Sequence, residues 1–193
     1  MKLILASASP RRRELLAGMG LAFDVCIPEA DESFEAGTPA AQIPEMLARR
    51  KAQLVGTKKP DCLILAADTV VECGGEILNK PLSDEEAFTM LEMLSGREHR
   101  VHTGYCLLSS GKKTSGTDST SVWFRKLESA EIWHYIRHYQ VRDKAGSYGI
   151  QDWIGLIGVE RIEGSYFTVM GLPTHRIWEA LAQTGFSPGF EQH

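Results

Sequence analysis

Three consecutive arginines, Arg11, Arg12 and Arg13, follow a hydroxyl-rich turn and open a predicted helix. Ser9 is expected to cap this helix and Pro10 to occupy its first position, which places the cations in the first turn. The helix dipole disfavours cations there, by about 0.3–1 kcal/mol for each exposed charge. A bound anion would reverse this cost, because free backbone N–H groups and guanidinium groups both bind phosphate. The pattern therefore indicates either a polyphosphate site or a solvated basic patch.

Asp68 directly follows residues 62–67, an unbroken apolar run that predicts a strand buried on both faces. Asp68 is therefore expected at or near the carboxyl end of that strand, where open α/β sheets place their ligand crevices. A carboxylate in this position can bind a metal ion, act as a general base or cap the following backbone N–H groups. The residues alone leave these three roles open.

Lys51 lies on the apolar side of a helix predicted over residues 40–55. Four apolar residues at helical spacing mark this side, namely Ile43, Met46, Leu47 and Leu54. Lys51 follows Leu47 by four positions and therefore shares its face. Its aliphatic stem can cover apolar surface while the ammonium reaches solvent, or the ammonium can point into a cleft that this face borders.

Two further charged residues lie in predicted loops. Glu32 belongs to an acidic loop at residues 28–39, and it either joins Asp68 around a divalent cation or remains a solvated charge. Lys80 precedes Pro81, and its position alone assigns it no role. The sequence contains none of the motifs GxxxxGKS/T, GxGxxG, HExxH and GxSxG. Metal-assisted attack on a phosphate ester or anhydride is the chemistry that the candidate residues support.

The composition narrows the class of protein. The 193 residues suffice for one domain, and the formal net charge of −4 argues against a general nucleic-acid binder, which would carry a basic excess. The sequence shows no apolar run of membrane-spanning length and no pattern typical of a signal peptide. The four cysteines have no metal-site spacing. We therefore expect a single domain over residues 1–193, a cytoplasmic location, and no nucleic-acid or membrane partner.

The elements that must position these side chains are a mixture of strands and helices. Strands are predicted at residues 2–6, 22–27, 62–67, 69–72, 76–78, 100–109, 117–125, 159–162 and 166–170. Helices are predicted at residues 10–18, 40–55, 84–94, 130–139 and 174–184. We expect the last two strands to form a hairpin, residues 111–113 to join the two long strands, and residues 146–158 to be irregular. This pattern predicts an α/β chain with a mixed sheet.

Several segments of the chain resemble, in order, the signature segments of the Maf family. That family contains nucleoside triphosphate pyrophosphatases, which are also named septum-formation inhibitor proteins. The similar segments lie at residues 5–16, 67–71, 79–81, 94–96, 101–104, 144–151 and 169–173. The first contains LASASPRR followed by ELL, and the sixth is KAGSYGIQ. The resemblance extends over nearly the whole chain.

The resemblance implies an elongated, two-lobed α/β fold related to inosine triphosphate pyrophosphatases, with a cleft between the lobes. It also implies a divalent metal cofactor, Mg²⁺ or Mn²⁺, and a homodimer. Residues 146–151 are similar to family members that act on dTTP and UTP, whereas members acting on 7-methyl-GTP carry a Phe-Lys-Ser-Glu-type stretch there. The implied activity is hydrolysis of dTTP and UTP to the monophosphate and pyrophosphate. The alternative is a regulatory nucleotide-binding protein that inhibits septum formation without turnover.

The resemblance also assigns roles to individual residues. By the resemblance, Asp68 would be the proton acceptor. The residues themselves, and not the resemblance, suggest that Asp68 and Glu32 bind the metal ion. Taking the residues and the resemblance together, we expect the substrate-binding residues to be Ser7, Arg11, Arg12, Lys51, Thr69, Lys80 and Gln151. Among them, Arg11, Thr69 and Gln151 would determine specificity. The amide of Gln151 offers both a donor and an acceptor to a pyrimidine edge.

The chain departs from the family pattern at one position. The family shows a Glu directly before the helix lysine, whereas this chain has Arg50 before Lys51. If that Glu orders Lys51 or binds metal in the family, this chain has no Glu at that position to do so. The catalytic assignment is carried over, because Lys51 and Asp68 are both present.

Overall fold

The computed structural model describes residues 1–110 and 112–186. The strands are β1 (Leu3–Leu5), β2 (Asp24–Val25), β3 (Leu63–Cys73), β4 (Glu76–Leu78), β5 (Glu98–Ser109), β6 (Lys112–Phe124) and β7 (Val159–Glu163). The helices are α1 (Pro10–Gly18), α2 (Ile43–Lys58), α3 (Asp84–Leu94), α4 (Ser129–His138), α5 (Trp153–Gly158), α6 (Tyr166–Met170) and α7 (Thr174–Gln183). A short 3₁₀ turn covers Ala145–Ser147. Within the two described ranges, no helix has both the length and the apolar character needed to cross a membrane.

The strands pair in the order β2-β1-β3-β5-β6-β7, and β4 pairs with β3. Strand β1 is parallel to both β2 and β3, with Leu5 opposite Leu65, whereas β4 is antiparallel to β3 and β7 is antiparallel to β6. This mixed sheet confirms the predicted α/β class. Two predicted features include positions outside the described residues: Gly111 in the turn between β5 and β6, and residues 187–193 at the end of the predicted single domain.

The described chain divides into two compact units. The first unit comprises Met1–Asp68, Thr103–Asp118 and the described residues from Gly171 onward. The second unit comprises Thr69–His102 and Ser119–Met170. Strands β3, β5 and β6 contribute residues to both units.

Alternation along the strands builds the core of the first unit on both faces of its sheet. The odd-numbered side chains of β1 and β3 pack with α1 and α7 in a cluster that contains Leu3, Leu5, Leu16, Leu63, Leu65, Ala67, Ile177 and Leu181. The even-numbered side chains pack with α2 in a cluster that contains Ile4, Ala6, Ala48, Ala52, Val55, Ile64 and Ala66. Successive side chains of a strand point to opposite faces, so an unbroken apolar run is needed where both faces are covered. The prediction of a doubly buried strand at residues 62–67 is confirmed.

Helix α2 buries a face that differs in part from the predicted one. Its buried residues are Ile43, Pro44, Leu47, Ala48, Lys51, Ala52 and Val55. The prediction that Lys51 shares the packing face is confirmed. The assignment of Leu54 to this face is wrong, because Leu54 is 40% exposed. Small alanines close to the sheet occupy the place that we assigned to a larger apolar side chain.

Gly104 in β5 allows α2 to approach the sheet closely. A Cβ at Gly104 would lie 2.1 Å from the backbone nitrogen of Glu45 and 2.2 Å from the carbonyl carbon of Pro44. Both contacts are backbone atoms at the start of α2, so no side-chain rotation could relieve them. The missing side chain of Gly104 therefore helps to set the position of the helix that carries Lys51.

We expect Gly104→Ala to lower the free energy of unfolding by about 3 kcal/mol or more, because the methyl group overpacks a backbone contact. Urea denaturation of the purified protein would measure this loss. Gly18→Ala is a matched control, since a Cβ at Gly18 meets no atom within 4 Å. Equal unfolding midpoints for the two variants would contradict this account of Gly104.

The second unit contains aromatic clusters, and the one around His99 belongs to its core. The rings of Phe88 in α3 and Trp133 in α4 stack with their centroids 4.9 Å apart. His99 in β5 packs edge to face on Phe124 and Tyr148, and its Nε2 lies 2.7 Å from the Tyr148 hydroxyl. Burial lowers the pKa of His99 to about 3, so its imidazole is neutral at physiological pH. His99 is therefore a packing residue of this core.

The predicted strand at residues 166–170 is wrong, because this segment forms helix α6. Strand β7, its predicted hairpin partner, pairs with β6 instead. Gly164 follows β7 with a φ of 128°, and a Cβ there would lie 2.5 Å from Oγ1 of Thr120. The same hydroxyl accepts the N–H of Ser165 and donates to its carbonyl. These contacts fix a turn after β7, and the chain continues as a helix although its residues favour a strand.

The prediction that residues 146–158 are irregular is wrong in part. Helix α5 begins at Trp153, and the carbonyl of Asp152 accepts the N–H groups of Gly155 and Leu156. Glycine destabilises helix interiors, so the glycines of this segment led us to predict an irregular conformation. The structure instead has a short helix, which tertiary contacts stabilise.

Candidate active site

The first turn of α1 places the three arginines in different environments. Ser9 is the N-cap, and its Oγ accepts the N–H of Arg12, as predicted. Arg12 is buried, Arg11 is half-buried and Arg13 is exposed. Consecutive side chains of a helix point about 100° apart, so the triplet does not form one continuous cationic surface.

The guanidinium of Arg12 is bound on two sides. Its Nε donates to the carbonyl of Gly171 at 2.8 Å, and its Nη1 donates to Oγ of Ser7 at 3.3 Å. The Ser7 hydroxyl also accepts the N–H of Ser9 at 3.2 Å. These bonds connect the turn between β1 and α1 to the segment before α7. We did not predict the role of Gly171, because a backbone carbonyl leaves no mark in the residue types.

Several charges surround Arg12. Burial lowers the pKa of its guanidinium, the charge of Asp68 opposes this shift, Arg11 adds to it, and Glu32 opposes it. The first unit therefore gathers cations from α1 and carboxylates from β3 and the acidic loop into one electrostatic environment.

Lys51 connects the two carboxylates. Asp68 continues the even-numbered face of β3, which packs on α2, and Lys51 lies on the face of α2 that packs on the sheet. The Lys51 ammonium donates to Oδ2 of Asp68 and, at 2.6 Å, to Oε1 of Glu32. The side chains of Lys51 and Asp68 are 11% and 14% exposed, whereas that of Glu32 is 50% exposed. Low solvent access strengthens the pairing of Lys51 with Asp68 relative to a surface ion pair.

Asp68 is not at the end of its own strand, because β3 continues to Cys73. The parallel register of β1 and β3 extends to Leu5 and Leu65, and the N–H of Ala6 then donates to the carbonyl of Leu65. Strand β1 ends there and leads to Ser7 and α1, while β3 runs on and carries Asp68. The candidate site therefore lies at the carboxyl end of β1, and open α/β sheets place their ligand crevices at the carboxyl ends of strands.

Glu32 and Asp68 fit a divalent cation by their chemistry. Mg²⁺ prefers oxygen ligands and is commonly held by one or two carboxylates together with substrate phosphates, and Mn²⁺ accepts similar ligands. Within residues 1–110 and 112–186, no group of three or more His, Cys, Asp and Glu side chains could hold a metal ion. The two carboxylates that Lys51 joins are therefore a suitable donor set only for a cation that also binds substrate or water.

The remaining predicted substrate-binding residues belong to the second unit. Thr69 follows Asp68 in β3 and is half-buried, and Lys80 is exposed in the loop after β4. Gln151 is half-buried, and its Oε1 is buried without a hydrogen-bond partner in the part of the chain that the structure describes. An acceptor that is buried without a hydrogen bond lowers the stability of a protein by about 1–3 kcal/mol. A ligand that donates a hydrogen bond to this oxygen would therefore gain affinity.

The turn that carries Gln151 is anchored on both sides. The hydroxyl of Tyr135 in α4 donates to Oδ2 of Asp152 at 2.6 Å and accepts the N–H of Gly149 at 3.1 Å. The N–H of Asp152 donates to the carbonyl of Gly149 at 3.0 Å. The ammonium of Lys144 lies 3.6 Å from the same Asp152 oxygen. Gln151 therefore sits in a turn whose backbone has little freedom to move.

The comparisons with known proteins found one matching family, similar proteins and solved structures. A model of that family, described as Maf-like protein, matches residues 2–184. A protein of Phocaeicola vulgatus named dTTP/UTP pyrophosphatase is 47% identical over 182 residues, covering 93% of this chain and 94% of that protein. A Thermococcus gammatolerans protein of the same name is 47% identical over 184 residues, covering 95% and 97%. Among solved structures, the Staphylococcus aureus Ham1 protein aligns with a TM-score of 0.44 and 13% identity, over 64% of this chain and 72% of that one.

Proposed function

Because the chain belongs to the Maf family, we propose that it hydrolyses dTTP and UTP to the nucleoside monophosphate and pyrophosphate. The names of its relatives support this substrate class. The observation that carries the proposal is the Lys51 ammonium, which pairs with both Asp68 and Glu32 in the electrostatic environment of Arg12. A triphosphate and its divalent cation need such an arrangement of cations beside carboxylates.

In the proposed reaction, the oxygen of a water molecule bonds to the α-phosphorus, and the bond from the α-phosphorus to the bridging oxygen of the β-phosphate breaks. Pyrophosphate leaves with that oxygen. Negative charge is redistributed over the phosphate oxygens in the transition state, so cations that are already in place stabilise it. Arg11, Arg12, Lys51 and Lys80 would supply these cations.

Asp68 would accept the proton of the attacking water. Lys51 holds the Asp68 carboxylate in place through its hydrogen bond to Oδ2. An ammonium has three N–H donors, so Lys51 can donate to Asp68 and Glu32 and still offer a donor to a phosphate oxygen. A divalent cation bound by Glu32 and Asp68 would neutralise further charge on the triphosphate.

Gln151 would recognise the base. Its buried Oε1 can accept the N3–H of uracil or thymine, and its Nε2 can donate to a neighbouring carbonyl of the base. The anchored turn around Gln151 supports this role, because a rigid amide discriminates between donor and acceptor patterns better than a mobile one. The 5-methyl group, which distinguishes thymine from uracil, does not change this hydrogen-bonding edge.

Pyrophosphate release in the presence of Mg²⁺ or Mn²⁺ tests the proposed function. The substrates to compare are dTTP, UTP, CTP, ATP, GTP and 7-methyl-GTP. We expect dTTP and UTP to have the highest kcat/KM. The reverse order, with 7-methyl-GTP preferred, would refute the base assignment. Release from none of them, with nucleotide binding retained, would favour the regulatory nucleotide-binding alternative.

We expect Gln151→Leu to lower kcat/KM for dTTP by about 10–100-fold and to narrow the preference for dTTP over CTP, because the amide contacts to the base are lost. Steady-state kinetics with both nucleotides would measure the two effects. Gln53→Leu is a matched control, since Gln53 is exposed on α2. An unchanged ratio of dTTP to CTP turnover in Gln151→Leu would contradict base recognition by this residue.

The proposal includes a homodimer, which rests on the family resemblance, and a cytoplasmic location, which rests on the composition of the sequence. Light scattering coupled to size-exclusion chromatography would measure the mass of the particle in solution. A mass of about twice the 21.4 kDa of one chain is the expected result.

A further inference from the structure

Arg50 in α2 binds the backbone on both sides of Glu32. Its Nη1 donates to the carbonyl of Asp31 at 3.3 Å and to the carbonyl of Ser33. The next residue of the helix, Lys51, donates to the carboxylate of Glu32 itself at 2.6 Å. Two consecutive side chains of α2 therefore hold three consecutive residues of the acidic loop.

The acidic loop depends on these contacts for its geometry. Residues 26–42 contain no helix or strand, so no regular backbone hydrogen bonding determines where Glu32 lies. A local turn lies beside Glu32, because the Asp31 carboxylate accepts the N–H of Ser33 at 2.9 Å and its hydroxyl at 2.7 Å. Those hydrogen bonds lower the pKa of Asp31, and the charge of Arg50 acts in the same direction. This turn shapes the loop, and Arg50 attaches it to α2.

We propose that Arg50 is a positioning residue for Glu32. By fixing the carbonyls of Asp31 and Ser33, Arg50 directs the intervening carboxylate toward Lys51 and Asp68. The catalytic consequence rests on the proposed function, in which Glu32 helps to hold the cation of the substrate complex. The positioning itself is a property of the free protein.

The chemistry of the guanidinium explains why an arginine suits this position. One planar nitrogen carries two N–H bonds at a fixed angle, and these can reach two carbonyls separated by one residue. A lysine would keep the charge, but its ammonium stem is flexible and fixes the two carbonyls less well. A carboxylate at this position could donate to neither carbonyl and would repel Asp31.

Hydrogen exchange of the metal-free protein tests the positioning directly. We expect Arg50→Ala to accelerate amide exchange within residues 29–35 by about tenfold, because the loop loses its attachment to α2. Arg50→Lys should give an intermediate rate. The matched control is Arg49→Ala, which removes an adjacent arginine whose partners are Glu45, at 2.5 Å, and Ser115, at 2.9 Å. Exchange in Arg50→Ala that equals exchange in Arg49→Ala would overturn the inference.

Kinetics test the link to Glu32. We expect Arg50→Ala to raise the Mn²⁺ concentration for half-maximal dTTP hydrolysis by about tenfold, with kcat at saturating Mn²⁺ close to that of the wild type. Arg50→Lys should recover part of the affinity, and Arg49→Ala should match the wild type. A purely structural role would instead lower the melting temperature without changing the Mn²⁺ requirement, and that result would overturn the inference. Absence of hydrolysis by the wild type would count against the proposed function, while the exchange experiment would still decide the positioning.

Discussion

Asp68→Asn is expected to lower kcat for dTTP hydrolysis by about 10²–10⁴-fold, because the amide cannot accept the proton of the attacking water. The substitution keeps the shape of the side chain and one oxygen for the Lys51 ammonium. The fold should therefore be retained, since the Asp68 side chain makes no contribution to the apolar clusters of the first unit. Pyrophosphate release measures the effect, and circular dichroism reports on the fold.

Asp24→Asn provides the control for Asp68→Asn. Asp24 is another carboxylate of the first unit, and it pairs with Lys2 at 2.5 Å on the surface. Removing it should leave kcat unchanged, because surface ion pairs contribute little. If Asp68→Asn is folded and its kcat remains within about tenfold of the wild type, Asp68 is not the proton acceptor.

Lys51→Met should lower kcat/KM for dTTP by about 10²–10³-fold. A preorganised cation that faces developing negative charge has an effect of this size, and methionine fills the aliphatic space without supplying the charge. The loss should appear with UTP as well, because the ammonium would act on the phosphates and not on the base. Steady-state kinetics with both nucleotides test this expectation.

The same substitution should also lower stability, since it leaves the carboxylates of Asp68 and Glu32 without their shared cation. We expect the free energy of unfolding to fall by about 1–3 kcal/mol, less than for a fully buried pair because half of Glu32 is exposed. Adding Asp68→Asn to Lys51→Met should restore part of this loss by removing one of the two charges. Urea denaturation of the two single variants and the double variant gives the coupling between the residues.

Lys58→Met is the matched control for Lys51→Met, because Lys58 lies exposed in the last turn of the same helix. Its activity and stability should be close to those of the wild type. The account of Lys51 would be wrong if the two lysine variants had the same kinetics, or if the double variant were less stable than Lys51→Met.

Much of the first unit could be predicted from local patterns. The apolar run at residues 62–67 predicted a strand covered on both faces, and the clusters around β3 confirm it. Ser9 and Pro10 predicted where α1 begins, and the cap is present. These features depend on neighbours in sequence, because strand alternation and helix capping act within a few residues.

Predictions were wrong where distant residues competed with local preference. Residues 166–170 favour a strand by composition, yet β7 pairs with β6 and not with these residues. The contacts of Thr120 with Gly164 and Ser165 hold a turn after β7, and a helix follows it. Leu54 has the helical spacing of a packing residue, yet the alanines of α2 pack on the sheet and Leu54 is exposed. In both cases the segment that makes the decisive contact lies far along the chain. The residue types alone do not show which of several possible segments makes that contact.

For the candidate site, the residue types by themselves determined which groups could take part: cations in α1, a lysine on the packing face of α2, and carboxylates in the acidic loop and β3. The family resemblance, also carried by residue types, determined the expected chemistry. Only the tertiary structure decided that Lys51 binds both Asp68 and Glu32. It also decided that the carbonyl of Gly171 accepts a hydrogen bond from Arg12, and that Arg50 donates to backbone carbonyls of the acidic loop. The physical reason is that a hydrogen bond across a fold depends on ångström-scale placement of both partners, and two of these three sets of contacts use backbone carbonyls, which every residue carries.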